Sequence, residues 1–380
     1  MPPRDAYLID GLRLPVGKAG GLYKTTIPER FTSYLLHAFR EKYPVLETDL
    51  DELLLGNAVG TGGNMARYAL LHAGFPPRIP ATTIDFQCGA GLRALTAGEA
   101  QIKSGQSHCL LVGGLESASL APRRQYHFRD ERFRWDVEFY ERAEFAPAEF
   151  HGNDLLEAAK NAAYASDITK DELMAWTVES HRRAVVAVKN ETLRPSIVPW
   201  NDVWMDHSIR LNLTLAALRA TQTTRLIDHT TAAHRHDGAG LLLLGSEEFC
   251  EKQGLKPAFR IVASALAGGP PHLAPLGVIW ATEKLLAQTG TEISDIDRFE
   301  VNESFALKPI AFARRWGIAA EKINTFGGNL AYGHPFGASG AINTLHLMRA
   351  LQTTGGRFGL VTAAAAGGLG AAVLIENLAP

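Results

Sequence analysis

The chain has 380 residues, 46% hydrophobic and 21% charged, a composition typical of folded globular protein with enough apolar residues for more than one core. Lysine and arginine (38) nearly balance aspartate and glutamate (40), and a net charge of −2 supports neither a nucleic-acid-binding nor an anionic-membrane surface. Three cysteines, Cys88, Cys109 and Cys250, are an odd and sparse set, which argues against a disulfide framework, and no CxxC or zinc-type spacing accompanies them. The opening MPPRDAYLIDGLRLP has no apolar signal core, no uncharged run approaches a membrane span, and the closing NLAP carries no retention or peroxisomal signal. A cytoplasmic setting is the expectation.

In chain order, Tyr7 to Leu12 reads as a first strand, and Pro28 to Phe39 as an amphipathic helix with proline in its first turn. Leu50 to Gly60 reads as a buried strand running into a Gly-rich loop, and Asn64 to Ala73 as a helix. Ala81 to Gly105 then reads as a short strand (Thr82 to Phe86), a sharp turn holding Cys88, and a helix with Leu92, Leu95 and Ile102 at helical spacing. A thiol in the first turn of a helix meets exposed backbone N–H groups and the positive end of the macrodipole, so a lowered pKa is expected. The alternative is a cysteine that fills a strand-to-helix corner, the commoner fate of free thiols. His108 to Gly114 follows as an apolar strand, with Cys109 expected in the core.

From Leu115 to about Ala232 the alternation breaks. Residues 122 to 135, PRRQYHFRDERFRW, are irregular and rich in arginine and aromatics, and one clear helix spans Lys170 to Val188. An insertion of this length into an α/β domain is usually functional. Asp237 to Gly245 returns as an apolar strand, and Cys250 after SEEF is expected to be incidental. The first pattern then repeats: strand Phe259 to Ala263, helix Pro275 to Gln288, strand Asp295 to Val301, helix Gly337 to Leu351, and strands Phe358 to Thr362 and Gly370 to Ile375.

The repeat is legible residue by residue. LDELLLGNAVG matches DIDRFEVNESF, and CGAGLRAL at one helix start matches FGASGAIN at the other. Two such halves, packed face to face, would point their helix N-termini at a shared crevice, where ligands of open α/β sheets bind. Four features fall at the ends that would converge: Cys88, Asn302 in VNESFAL, His334 in GGNLAYGHPFGASGA, and the Gly-rich TAAAAGGLGAA over 362–372.

Together with GGLESASLAP (113–122), SHRRA (180–184), DGAG (237–240) and FGLVTAAAAGGLGAAVLIE (358–376), these motifs resemble the thiolase family over nearly the whole chain. The closing segment is most similar to the thiolase subunit of fatty-acid β-oxidation complexes. The resemblance implies an α/β thiolase fold: two duplicated βαβαβαββ halves in a five-layer αβαβα sandwich, with an inserted loop domain. Residues 1–118 with 233–250 would form the first half, 119–232 the acyl-CoA-binding loop domain, and 256–380 the second half. It implies an acyltransferase acting on acyl-CoA or 3-ketoacyl-CoA thioesters by Claisen condensation or thiolysis. No cofactor would be bound, coenzyme A thioester being the substrate. The partner expected is a second copy in a homodimer or homotetramer, or a β-oxidation complex.

The resemblance also implies roles. Cys88 would carry the acyl group as a thioester, and His334 would be its activating base and an oxyanion donor. Asn302 would hold a water or donate to the substrate carbonyl, an Asx turn being its bland alternative. The backbone N–H groups of Cys88 and Ala366 would form a second oxyanion hole. The family's second cysteine, an acid/base, falls at Ala364, so no thiol stands there. The chain could be an inactivated variant, a condensing enzyme that makes its carbanion by decarboxylation, one that draws the proton from another residue, or a non-catalytic thioester-binding or scaffold subunit. The family's Met-Gly-x-Thr-Ala-Glu stretch is degenerate here, reading FHGNDLLEAAK (150–160), and His234, Arg235 and His236 replace small residues. Arg123, Arg124, His234, Arg235 and Phe305 are the expected CoA or substrate contacts. Arg129, Arg132 and Arg134 are either phosphate-binding or a solvated face paired with Asp130 and Glu131.

Overall fold

The computed structural model describes residues 4–140 and 142–379. The first half runs β1 (Ala6–Arg13), β2 (Gly17–Lys18), α1 (Pro28–Lys42), α2 (Leu46–Asp49), β3 (Glu52–Gly56), α3 (Met65–His72), β4 (Ala81–Ile84), α4 (Ala90–Ser104) and β5 (Cys109–Glu116). The insertion contributes α5 (Leu155–Ala165), α6 (Lys170–Lys189) and α7 (Leu215–Thr221), after which β6 (His236–Ser246) and α8 (Glu247–Gln253) close the half. The second half runs β7 (Phe259–Gly268), α9 (Gly277–Thr289), β8 (Arg298–Val301), α10 (Leu307–Trp316), α11 (Asn329–Tyr332), α12 (Phe336–Thr354), β9 (Phe358–Ala365) and β10 (Leu369–Asn377). The expected elements are present, with ends shifted by a few residues. Helices not expected from the sequence are the short α2, α7 and α11, α5 inside the stretch read as degenerate, and α10, whose Pro309 disguises a helical segment.

The strands lie in the order β4-β3-β5-β6-β1-β7-β10-β9-β8, with β2 against β6. Parallel pairs β4·β3, β3·β5 and β8·β9 occupy the two ends, and antiparallel pairs fill the middle. The two halves are joined at one seam, where Ala6 to Leu8 pair with Phe259 to Ile261. Phe299 also bridges Ile323 in parallel, which supplies the second half with its counterpart of β4.

Strand alternation sorts the side chains into layers. Leu53, Leu55, Leu241 and Leu243 face outward, under α1 and α3, whereas Leu54, Leu242 and Leu244 face inward. In β10, Ala372 and Leu374 face α9 and α10, and Ala371, Val373 and Ile375 face inward. Between the two inner faces lie α4 and α12, and fourteen of the nineteen residues of α12 are buried. This is the layered thiolase fold that the sequence pattern implies.

The two central helices meet backbone to backbone. A Cβ on Gly340 would lie 2.1 Å from the Leu92 backbone nitrogen, and one on Gly91 would lie 2.5 Å from the Gly337 carbonyl oxygen. Only hydrogen fits there, so the glycines of CGAGLRAL and FGASGAIN set the spacing of the halves. Gly340→Ala should therefore lower stability by about 1–3 kcal/mol through overpacking against backbone that cannot yield. Thermal or denaturant melting checks this; an unchanged midpoint would show that the helices separate freely.

Candidate active site

The strand β4 ends at Ile84, and the chain reverses within four residues to enter α4. Asp85 makes the reversal possible. Its Oδ1 accepts the Gln87 backbone N–H at 2.8 Å and the Gln87 side-chain amide at 2.9 Å. Those bonds hold Gln87 at φ 49, in the left-handed region where a non-glycine residue needs such support. Cys88 follows, half-buried, at the foot of a cavity of about 540 Å3. His334, Lys308, Ala364 and Ala366 line the same cavity.

His334 arrives from the second half. Gly333, at φ 106, makes the turn before it, and the His334 backbone nitrogen lies 3.1 Å from Nδ1 of His236, which in turn lies 2.7 Å from the His234 carbonyl oxygen. Burial drives the His236 pKa down to about 4, so this ring is neutral and carries one hydrogen, which Nδ1 can give to that carbonyl. The His334 ring pairs through Nδ1 with Ser339 Oγ at 2.7 Å, while its buried Nε2 has no protein partner. Burial, helped by Lys308 and His236, holds the His334 pKa well below the usual histidine value, so this imidazole is also neutral. With hydrogen on Nδ1, Nε2 offers a lone pair; with hydrogen on Nε2, it offers a donor.

Asn302 is wholly buried and does not line the cavity. Its Nδ2 donates to Asn329 Oδ1 at 2.9 Å, and its Oδ1 accepts Lys308 Nζ at 3.0 Å. This corrects the direct-donor expectation: Ser304, Phe305 and Lys308, two to six residues on, are what reach the cavity. Lys308 was not singled out in the sequence, although a signal existed. It stands at i, i+3 and i+4 with the buried Ala311 and Phe312, a cation on the apolar face of a helix. Burial lowers its pKa to about 8, opposed by Cys88. Its Nζ also donates to the Ala364 carbonyl oxygen at 3.2 Å.

The Cys88 thiol departs from expectation in the same way. Burial pushes its pKa up to about 11, and Lys308 only partly offsets that. The helix N-terminus does not win, because the sulfur has lost more water than the macrodipole returns. The resting nucleophile is thus a thiol that needs a base.

Of the expected CoA or substrate contacts, Arg235 and Phe305 line the cavity. Arg123, Arg124 and His234 do not. Arg123 lies over the Phe139 ring, Arg124 donates to the Gly60 carbonyl oxygen, and His234 is exposed. Arg132 pairs with Asp130 at 2.7 Å and stacks on Tyr126, Arg129 lies over Phe128, and Arg134 caps local carbonyls. That segment is the solvated face. Missed by the sequence reading were Arg142 at the mouth and Phe145, Leu155 and Leu156 along the wall, all from the insertion. Cys109 is buried in the outer core, as expected, and Cys250 is buried in α8, outside the cavity lining.

Glu116, from GGLESAS, ties the two halves at the cavity floor. Its carboxylate accepts Ala58 N–H at 2.9 Å, Val59 N–H at 3.2 Å, Asn57 Nδ2 at 3.0 Å and, across the interface, Gly337 N–H at 3.0 Å. Burial still raises its pKa to about 7.

Known proteins agree with this construction. Residues 6–248 match the family model for the thiolase N-terminal domain, and residues 255–377 match that for the thiolase C-terminal domain. The chain belongs to the thiolase family. Thiolases are acyltransferases that act on acyl-CoA, and this chain is one of them. It is 34% identical, over 98% of its length and 99% of the relative, to the Staphylococcus epidermidis protein named "Putative acetyl-CoA C-acetyltransferase VraB". It is 32% identical, over 99% of its length and 100% of the relative, to the 3-oxoadipyl-CoA/3-oxo-5,6-dehydrosuberyl-CoA thiolase of Escherichia coli. The crystal structure of the Bacillus anthracis acetyl-CoA acetyltransferase superposes with a TM-score of 0.91 at 27% identity, covering 99% of this chain and 100% of that one. With the thiolase assignment made, Ala364 is the site's departure: a methyl group where the resemblance implies a thiol.

Two outcomes are expected here. Alkylation of Cys88 by iodoacetamide proceeds through the thiolate, so its rate should climb about tenfold per pH unit from 7 to 10, as follows for a thiol titrating near 11. Peptide mapping measures it, and a plateau near pH 7 would mean the thiol is already ionised. Glu116→Gln turns an NH2 toward backbone N–H donors and should cost about 1–3 kcal/mol in a denaturant melt.

Proposed function

We propose that this thiolase catalyses acyl transfer on 3-ketoacyl-CoA or acetyl-CoA through a thioester on Cys88. His334 takes the thiol proton as the sulfur attacks and returns it when the acyl group leaves. The tetrahedral oxyanion is held by the Nε2–H of His334 in its other tautomer, or by the backbone N–H groups of Cys88 and Ala366. Arg142 and Arg235 at the mouth are suited to the phosphates of CoA, since guanidinium forks match phosphate oxygens. The apolar wall of Phe145, Leu155 and Phe305 suits the pantetheine and acyl chain.

The observation that carries this reading is the bare Nε2 of His334 in the same cavity as the Cys88 sulfur. Leaving a buried polar atom unpaired costs about 1–3 kcal/mol. A scaffold subunit would have no use for that cost, whereas a base needs its lone pair free. The matching names of the relatives, acetyl-CoA acetyltransferases and a 3-oxoacyl-CoA thiolase, support the same class of substrate.

Incubation with acetyl-CoA followed by intact-mass and peptide analysis should give one acetyl group on Cys88. Cys88→Ala should give none, and His334→Ala should form the adduct about 10²- to 10⁴-fold more slowly. No adduct on the unaltered protein would refute acyl transfer through this cysteine.

A further inference from the structure

Carbon–carbon cleavage beside a thioester leaves an electron pair on the α-carbon, and condensation must remove a proton from it. Either way a proton-transfer group has to stand at the cavity floor. Position 364 offers only a methyl group. The geometry points to Lys308 as that group: we propose that its amine is the acid and base on the substrate α-carbon, replacing the absent thiol from a different element of the fold. This rests on the acyl-Cys88 reading above.

Four observations support the assignment. Lys308 is buried to 2% exposure yet forms part of the cavity wall with Cys88 and His334. Its Nζ is anchored on the carbonyl oxygen of Ala364 itself, so the amine comes to the strand position where the thiol would stand. Two of its three ammonium hydrogens are held by protein acceptors, Asn302 Oδ1 and Ala364 O. Among the described residues no carboxylate bonds to it, so the amine is not locked in an ion pair with any of them. Its pKa near 8 lets both protonation states exist at neutral to mildly basic pH.

The steps balance. In thiolysis the Cys88 sulfur adds to the C3 carbonyl and its proton passes to His334 Nε2. The C2–C3 bond breaks, the pair moves to C2, and the Lys308 ammonium delivers a proton there, releasing acetyl-CoA and leaving acyl-Cys88. The Lys308 amine then takes the thiol proton of an incoming CoA, whose sulfur adds to the acyl carbon. The bond to Cys88 breaks, and the imidazolium returns its proton to the cysteine. Condensation is the reverse, with the amine removing the C2 proton.

Exchange of the acetyl-CoA methyl hydrogens in D2O reads this transfer directly, apart from acylation. Unaltered protein should incorporate deuterium. Lys308→Gln, incubated with acetyl-CoA until intact mass shows Cys88 acetylated, a state it reaches more slowly because the same amine serves the CoA thiol, should lose that incorporation about 10²- to 10⁴-fold, and adding Ala364→Cys to Lys308→Gln should recover part of it. Exchange in Lys308→Gln within threefold of the unaltered protein would overturn the proposal. Should that variant not fold, the unaltered protein still decides. Exchange needs the free amine, so its rate should rise with pH and level off above about 8. The titratable and charged groups that share the cavity lining with Lys308 are Cys88, His334, Glu116, Arg142 and Arg235, of which Cys88 and His334 interact with the amine. Cys88 titrates near 11, Glu116 near 7, and His334 well below its usual value, so a limb at 8 belongs to the lysine. A flat profile between pH 7 and 9.5, or acetylated Cys88 with no exchange at all, would refute Lys308 as the acid/base. Failure of Cys88 to acetylate would instead sink the acyl-transfer reading underneath.

Discussion

The close contact of α4 with α12 is the constraint on which the site depends. Each helix begins where a chemical group is needed, Cys88 before one and His334 before the other. The distance between those beginnings is set by Gly91 and Gly340, where a single methyl would collide with backbone. Glu116 adds the polar half of the same constraint by bonding N–H groups of both halves at once. The cavity floor is the gap left where the two helix N-termini converge, and residues of the insertion, Arg142, Phe145, Leu155 and Leu156, complete its lining.

That placement determines the electrostatics. Every ionisable group at the floor is pushed toward its neutral form by loss of water: the Cys88 thiol and Glu116 upward, Lys308 and His334 downward. Mutual attraction between Cys88 and Lys308 opposes this but does not overcome it. With the thiol and the imidazole neutral and Lys308 and Glu116 close to their titration points, the floor favours moving protons over storing charge. The proton on sulfur leaves only when a base accepts it during attack, and here that base is a bare imidazole nitrogen.

Much of this was legible in the chain. Alternating apolar strands, the repeat of CGAGLRAL in FGASGAIN, and the positions of Cys88 and His334 at turn ends all follow from periodicity and glycine placement. Contacts that depend on which side chain wins a buried position did not. The arginine-rich segment read equally as a phosphate site or a solvated face, and its guanidiniums pair with Asp130, with aromatic rings and with local carbonyls. The cavity mouth uses Arg142 and Arg235 instead. The thiol pKa was misjudged because a sequence shows the helix start but not how much water the packed halves exclude. Lys308 lies outside the VNESFA motif around Asn302, and its signal is weak: one cation in the first turn of α10 where helical spacing demands an apolar residue.

The position of Lys308 is in turn fixed by hydrogen-bond direction. An ammonium can only donate, so the Asn302 oxygen must face it, and the Asn302 amide nitrogen must then face the Asn329 oxygen. That same oxygen accepts from the Glu303 backbone and from Asn343 of α12, which leaves the Asn329 nitrogen to donate to the Gly333 carbonyl, the residue before His334. One ordered set of donors thus connects the lysine, the asparagine behind it and the turn that presents the histidine. The insertion reaches into this set as well, since Trp176 and Ser180 of α6 both donate to the Glu303 carboxylate. Reversing any amide in the series would set donor against donor in a place with no water to relieve it, so the network admits one arrangement. The polar groups beneath the cavity floor thus satisfy one another, and His334 Nε2 is the buried ring atom beside them that has no partner among the described residues.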